Sequence, residues 1–229
     1  EQQAECTCTA LCTGDSVNSD CPVCGAEGAD LNKCKGFEAQ PATLSNALPA
    51  TALAAVPEGQ IIYVGNESVT NGGYWTTDSN GNVTAYTGGD TPTDNYIHYD
   101  ESTNTLTLHN ATIKESVSTE TNSFIAGAAI GVHNQNGAAE LTITLEGTNT
   151  IAEVGKGIFV LASSTGGATL TITGDGSLDA SASQTGIWVQ SNSGNATLTI
   201  RNAKVEATGT SRGVNVQSHE SSTASLTVD

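Results

Sequence analysis

The chain has few basic side chains, few aromatic side chains and no methionine. Among its 229 residues, 7 Lys and Arg stand against 24 Asp and Glu, which gives a formal net charge of −17. This balance excludes a protein that holds nucleic acid through phosphate contacts, because such contacts need clustered basic side chains. The apolar stretch ALPATALAAVP contains Pro49 and is well short of the roughly 20 residues that span a bilayer, so no membrane span is expected in this segment.

Cysteine is absent after Cys34, so the cysteines define a separate small module at residues 1–37. So short a segment cannot bury enough apolar surface to fold alone and needs disulfides or a metal ion. We expect disulfides formed in an oxidising, extracellular setting, while the stretch CPVCG leaves zinc binding open. The cysteines are Cys6, Cys8, Cys12, Cys21, Cys24 and Cys34.

Two further segments precede the main body of the chain. Residues 38–58 hold three prolines and many alanines without strand-like alternation, which is typical of a linker. Residues 59–104 contain NG and GG turn signals between the short apolar runs IIYV, NVTAY and NYIHY. This pattern predicts β-hairpins. We expect the hairpins to cap the end of the structure formed by the following residues.

From Leu106 onward the sequence repeats. The segments LTLHNA, LTITLEG, LTITGDG, LTIRNA and LTVD place a leucine at one point of each repeat, and two further columns of apolar residues follow. The leucine column is Leu106, Leu141, Leu170, Leu198 and Leu226. The second column is Ile130, Ile158, Ile187 and Val214, and the third, lying between the other two, is Ile113, Ile151, Leu178 and Val205. Three short strands per repeat pair poorly within one repeat and well with the next.

The architecture that satisfies this pattern is an all-β, single-stranded parallel β-helix at residues 105–229, with four to five coils of roughly 28 residues. Each strand would pair with its equivalent one coil along, about 4.8 Å away. The longer interval from Leu106 to Leu141 predicts an insertion, KESVSTETNSF, at a turn, where insertions often build sites. Because the chain stops at the first strand of a new coil, we expect the native polypeptide to continue beyond Asp229.

Two outward aromatic residues fall at equivalent positions of adjacent predicted coils. Phe159 and Trp188 would form a stacking platform for sugar rings, with Gln190, Asn215 and Gln217 as hydrogen-bonding groups nearby. The alternatives are that the rings only reflect the preference of strands for aromatic residues, or that a loop covers them.

Carboxylates also align between predicted coils. Asp179 and Glu206 occupy one register, and Glu146 and Asp175 occupy matching turn positions. Like charges one coil apart repel unless a cation compensates, and calcium is the cation that such oxygen ligands suit. The alternative is a solvated acidic face with Lys204 and Arg201 as partial partners.

Several stretches carry a resemblance to a known family. The segments IIYVGNESVTNGGYWTTDSNGN, YDESTNTLTLHNATI and LTITGDGSLDASASQTGIWVQ are similar to secreted surface proteins of Gram-positive bacteria. They also resemble the carbohydrate-binding domain-containing family of short β-helices, which is built like pectate lyases. The segment CTCTALCTGDSVNSDCPVCGAEGADLNKCKG resembles the cysteine-rich leader of such proteins. The resemblance implies a right-handed coil, a polysaccharide or host glycan as partner, and sometimes calcium.

The sequence therefore predicts an extracellular carbohydrate-binding or adhesin β-helix, secreted or displayed on the cell wall, that is not catalytic. One alternative is a polysaccharide lyase or glycoside hydrolase on the same fold. A lyase would need calcium and a Lys or Arg base, and a hydrolase would use a carboxyl pair such as Asp179 and Glu206. The other alternative is a purely structural surface stalk.

Overall fold

The structure is a computed structural model that describes residues 56–220 and 222–229. The cysteine module and most of the linker lie outside the described residues. The expected disulfides, and zinc as their alternative, therefore stay predictions.

The described residues form β-strands and no α-helix. None of them belongs to a helix long and apolar enough to cross a membrane. The strands are β1 Ile61–Val64, β2 Glu67–Ser68, β3 Gly73–Thr77, β4 Val83–Ala85, β5 Tyr96–Asp100, β6 Thr105–His109, β7 Thr112–Ile113, β8 Ala128–Asn134, β9 Ala139–Glu146, β10 Thr148–Ala162, β11 Ala168–Gly174, β12 Ser177–Ser191, β13 Ala196–Ile200, β14 Lys204–Gly209, β15 Arg212–Ser218 and β16 Ala224–Val228.

The strands wind into a parallel β-solenoid of about four turns, as the repeats predict. Strands β9, β11, β13 and β16 lie side by side in one sheet. Their four leucines, Leu141 to Leu226, are directly paired from coil to coil. In the other sheet the second column, Ile130 to Val214, is paired in the same way. The second column is therefore confirmed, and the leucine column is confirmed from Leu141 to Leu226.

Every second side chain along a strand points into the solenoid, and these inward side chains fill its interior. In β9 buried and half-buried residues alternate without interruption, so that Leu141, Ile143 and Leu145 lie inside while the threonines between them face outward. Burying one such aliphatic side chain contributes roughly 1.5–3 kcal/mol. Thin aliphatic ladders repeated over several coils therefore form a continuous core from a sequence that is poor in large apolar residues.

Two register predictions are wrong by two residues. Leu106 pairs with Ile143 instead of Leu141, and Ile151 pairs with Ala180 instead of Leu178. A shift of two residues keeps every side chain on its own face, so the apolar pattern cannot detect it. The second shift adjoins a break in the pairing between β10 and β12, where Glu153 has a φ of 61°.

Both sheets begin with antiparallel strands from the predicted hairpin segment. Strands β3, β4 and β5 pair antiparallel, and β5 joins β6, which then pairs parallel with β9. Strand β1 pairs antiparallel with both β2 and β8. The predicted hairpins thus cover the first coil in each sheet, where a parallel stack alone would leave an open edge.

The predicted insertion, residues 114–124, lies between β7 and β8. From here on, the whole connection at residues 114–127 is called the insertion. Its ends are tied to the coil, since the Val117 amide donates to the Ala128 carbonyl at 2.8 Å and the Gly127 amide donates to the Val117 carbonyl at 2.8 Å. Between these ties the segment crosses the outer surface of the sheet that contains β8 and β10. The insertion therefore shapes the surface on which the candidate site lies.

Candidate functional site

The predicted aromatic pair lies on the outer surface of β10 and β12. Strand pairing sets Gly131, Phe159, Trp188 and Asn215 in one outward row across β8, β10, β12 and β15. The two rings stack, with their centroids 4.8 Å apart and their planes inclined by 30°. The predicted adjacency of Phe159 and Trp188 is therefore confirmed.

The insertion covers one of the two rings. Phe159 is only 4% exposed, and it packs with Val117 and Ile125 of the insertion in a small apolar cluster of its own. Gly131 makes room for this cover, because a Cβ atom there would lie 2.7 Å from the Cδ1 of Ile125. Lys156 contacts both the insertion and the ring beneath it. Its Nζ donates to the Ala126 carbonyl at 2.8 Å and lies 5.3 Å from the Phe159 ring centroid.

Trp188 and the predicted amide side chains lie in the half of the row that the insertion does not cover. Trp188 is half-buried, and its indole Nε1 is buried without a hydrogen-bond partner. Gln190 donates to Asn192 Oδ1 at 3.0 Å, and Gln217 lies 3.1 Å from His219 Nε2. Asn215 is in register with Trp188. One aromatic ring with amide groups beside it remains of the predicted platform.

A cleft of about 500 Å³ opens where the insertion meets β1 and β8. Phe124 of the insertion is 52% exposed and stacks on His133, with the ring centroids 4.5 Å apart. Hydroxyl and amide side chains make up most of the remaining wall. The lining residues are Gly59, Ile61, Thr119, Glu120, Thr121, Asn122, Ser123, Phe124, His133, Gln135 and Asn136.

Sequence reasoning did not identify this cleft, although it anticipated the insertion. The available signal was Phe124, a large apolar residue at the end of a polar insertion. What the sequence did not show was the position of this ring opposite β8, which depends on how the insertion folds back over the coil.

A second hollow of about 420 Å³ adjoins the cleft and shares Gly59 and Asn136 with it. Asn134 fixes its wall, because its Nδ2 donates to the carbonyls of Glu58 at 3.0 Å and Ala138 at 2.7 Å. The amides of Asn136 and Gly137 donate to the Oδ1 of the same side chain. A buried asparagine thus holds the backbone of this hollow in one shape.

The charge of both hollows is acidic. Glu120 is the charged residue that lines the cleft, and Glu58 is the charged residue that lines the second hollow. His133 adds no positive charge near pH 7, because burial lowers the pKa of its imidazole. Its Nε2 lies 2.8 Å from the Ser163 hydroxyl. The walls therefore offer a sugar an aromatic face, hydroxyls and amides, but no cation for an acidic group.

Of the four predicted calcium ligands, two lie side by side and the other two are not shown in contact with each other. Asp179 and Glu206 lie in register on β12 and β14, and both are exposed. Glu146 instead contacts His109 Nδ1 at 3.0 Å. Asp175 is exposed in the turn after β11. Over residues 56–220 and 222–229, no three His, Cys, Asp or Glu side chains are arranged to hold a metal ion, and calcium binding stays a prediction.

A row of rings that the sequence did not reveal lies on the outer face of the other sheet. Tyr74 stacks on His98 with centroids 4.1 Å apart, and Tyr96 stacks on His109 with centroids 4.7 Å apart. The Tyr96 hydroxyl donates to Glu146 at 3.4 Å, and burial together with this carboxylate raises the pKa of Tyr96. Because these rings use their faces on one another, they join the hairpins to the first coil.

In comparisons with family models, curated proteins and solved structures, none matches the chain. The resemblance to bacterial surface proteins and to carbohydrate-binding β-helices therefore stays a prediction.

Proposed function

We propose that the chain is an extracellular, non-catalytic carbohydrate-binding β-solenoid of a bacterial surface protein. The observation that carries this proposal is the cleft at Phe124. An aromatic ring that is 52% exposed lies at the mouth of a hollow of about 500 Å³ whose walls are mostly hydroxyl and amide groups. Such a hollow is within the size range of small-molecule binding sites.

The chemistry of the cleft matches that of a sugar ring. A pyranose presents one apolar C–H face and a rim of hydroxyl groups, so it needs a flat apolar partner and hydrogen-bonding side chains at its edge. Phe124 supplies the flat partner. The side chains of Asn122, Ser123 and Gln135 supply polar groups around it.

Trp188 offers a second contact on the same sheet. It lies on the side of the insertion where β12 and β15 are not covered, with Gln190, Asn215 and Gln217 close by. A longer polysaccharide or host glycan would engage both the cleft and this ring, which is the arrangement expected of an adhesin.

A non-catalytic role fits the carboxylates better than hydrolysis. A glycosidase needs two carboxyl groups on either side of the bond to be cleaved. The cleft is lined by Glu120, and the other nearby carboxylate, Glu58, lines the adjoining hollow and not the cleft. Asp179 and Glu206 are exposed side chains on β12 and β14 and are not among the lining residues of the cleft. The location outside the cell is proposed from the predicted disulfides in residues 1–37.

The experiment is a printed glycan array probed with the full chain, with Phe124→Ala and with Trp188→Ala. We expect specific binding by the full chain and a loss of about fivefold in Phe124→Ala, because a stacked aromatic contact contributes on the order of 1 kcal/mol. Tyr86→Ala, which removes a half-exposed ring elsewhere, is the matched control and should bind normally. Absence of binding to every glycan would favour the structural stalk, and release of unsaturated or reducing sugars would favour an enzyme.

A further inference from the structure

The two hollows beside the insertion adjoin each other. They share Gly59 and Asn136, and their volumes are about 500 Å³ and 420 Å³. Each is large enough for one sugar ring, since small-molecule sites begin at roughly 300 Å³. The shared residues place the two hollows side by side, and we call the pair the groove.

The two ends of this groove offer different contacts. The cleft has the exposed ring of Phe124, and the side chains of Ser123 and Gln135 make no hydrogen bond within the described part of the chain, which leaves them for a ligand. The second hollow has no aromatic lining residue and offers the Asn136 side chain and backbone groups. The first hollow therefore provides stacking, and the second adds hydrogen bonds to a neighbouring ring.

Charge decides which sugars the groove accepts. One carboxylate lies in each hollow, Glu120 in the cleft and Glu58 in the second hollow, and among the described residues no Lys or Arg lines either one. Both glutamates are exposed, and the whole chain carries a formal charge of −17. A uronic acid or another anionic sugar would meet repulsion at both ends without a compensating cation, whereas an amino sugar would gain an opposite charge.

We infer that the groove has two subsites and takes an oligosaccharide of neutral or amino sugars in preference to acidic ones, which Glu58 and Glu120 disfavour. This inference rests on the proposed glycan binding, because it assigns the class of sugar and the length that the same site accepts. It also makes the two glutamates specificity-determining residues with no role in bond cleavage.

The test uses a size series of mono- to tetrasaccharides printed in three classes. The neutral class comprises gluco-, manno- and N-acetylglucosamine oligomers, the amino class comprises glucosamine oligomers, and the acidic class comprises oligogalacturonates. The full chain should bind disaccharides about tenfold more tightly than monosaccharides, because a second ring adds hydrogen bonds in the second hollow. Acidic oligomers should bind about fivefold or more weakly than neutral oligomers of the same length, because they meet two exposed carboxylates.

Single charge changes give the discriminating measurement. Glu120→Gln should weaken binding of glucosamine oligomers by about two- to fivefold, as expected for loss of an exposed ion pair, and should leave neutral oligomers unaffected. Asp175→Asn is the matched control, since it removes an exposed carboxylate in the turn after β11 and should change nothing.

The outcomes separate this inference from the proposed function. Binding of oligogalacturonates as tightly as of neutral oligomers would overturn the inference while glycan binding stands. Equal affinity for mono- and disaccharides would overturn the two-subsite groove in the same way. No binding in any class would overturn the proposed function itself.

Discussion

Phe159 and Trp188 occupy the same position of adjacent coils and differ in what lies above them. The two rings stack in one outward row. Phe159 is buried beneath Val117 and Ile125, whereas Trp188 remains half-exposed. The repeat determines which residues are neighbours, and the insertion determines which of them a ligand can reach.

The insertion also carries an exposed aromatic ring of its own, Phe124. It buries Phe159 but presents Phe124 at the mouth of a cleft that the coil alone would not form. The strand ring Phe159 is therefore inaccessible to a ligand, whereas the ring of Phe124 on the insertion is accessible. We expect changes on the covered side to have the larger effect on stability, and changes on the uncovered side to have a smaller effect on stability and a direct effect on binding.

The largest expected effect is that of Phe159→Ala. Removing a fully buried ring leaves a cavity, and we expect the free energy of unfolding to fall by about 3–5 kcal/mol. Trp188→Ala should lower it by roughly half as much, because that ring is only partly buried. Urea unfolding of both variants measures the difference. Equal losses would contradict the view that the insertion covers one ring and not the other.

Gly131→Ala should have the next largest effect. The added Cβ atom would lie 2.7 Å from Ile125 Cδ1, so the insertion must shift, at a cost of about 1–3 kcal/mol in unfolding free energy. Combining it with Ile125→Ala should give a total loss smaller than the sum of the single losses, since the clash is then gone. Strict additivity would show that the two residues are not in contact.

Lys156→Met should have a smaller effect. It removes the hydrogen bond from Nζ to the Ala126 carbonyl and the cation near Phe159, while the methionine retains most of the aliphatic stem. We expect a loss of about 1 kcal/mol in unfolding free energy. Faster proteolysis within residues 114–127, with the coil intact, would show that the loss is local to the insertion.

The smallest expected effect is a dependence of stability on pH. Burial lowers the pKa of His133 below its ordinary value of 6.5, so the folded protein holds this ring neutral where the unfolded chain begins to protonate. The stability is complete above about pH 6.5 and is lost as the pH falls toward the lowered folded value. Thermal unfolding between pH 8 and pH 5.5 should show this slope, and His133→Gln should reduce it. An unchanged slope in the variant would assign it to other groups.

Much of the fold was predictable because the solenoid repeats its inward residues. Leu170 and Leu198 lie 28 residues apart, and the structure pairs them directly. The placement of Leu106 failed because a shift of two residues preserves the alternation of faces. Only the pairing of backbones from coil to coil distinguishes Ile143 from Leu141 as its partner.

The site was less predictable than the fold, because it depends on segments that do not repeat. The row containing Phe159 and Trp188 follows from the repeat, but the burial of Phe159 follows from an insertion with no counterpart in other coils. The same holds for the stacking of Phe124 on His133. Tyr96 and His109 also come from separate strands, and their proximity arises only when β5 pairs with β6.

Because the ends of the insertion are hydrogen-bonded to the coil, the sequence of the insertion can change while the coil stays the same. Since Val117 and Gly127 are tied at the base and Ile125 packs on Phe159, the residues from Ser118 to Phe124 are the ones that can be lengthened, shortened or exchanged at a small entropic cost. The coil beneath would keep its ladder of aliphatic side chains whichever sequence is inserted. Grafting other segments between these two anchor points should yield a set of proteins with one framework and different ligand preferences.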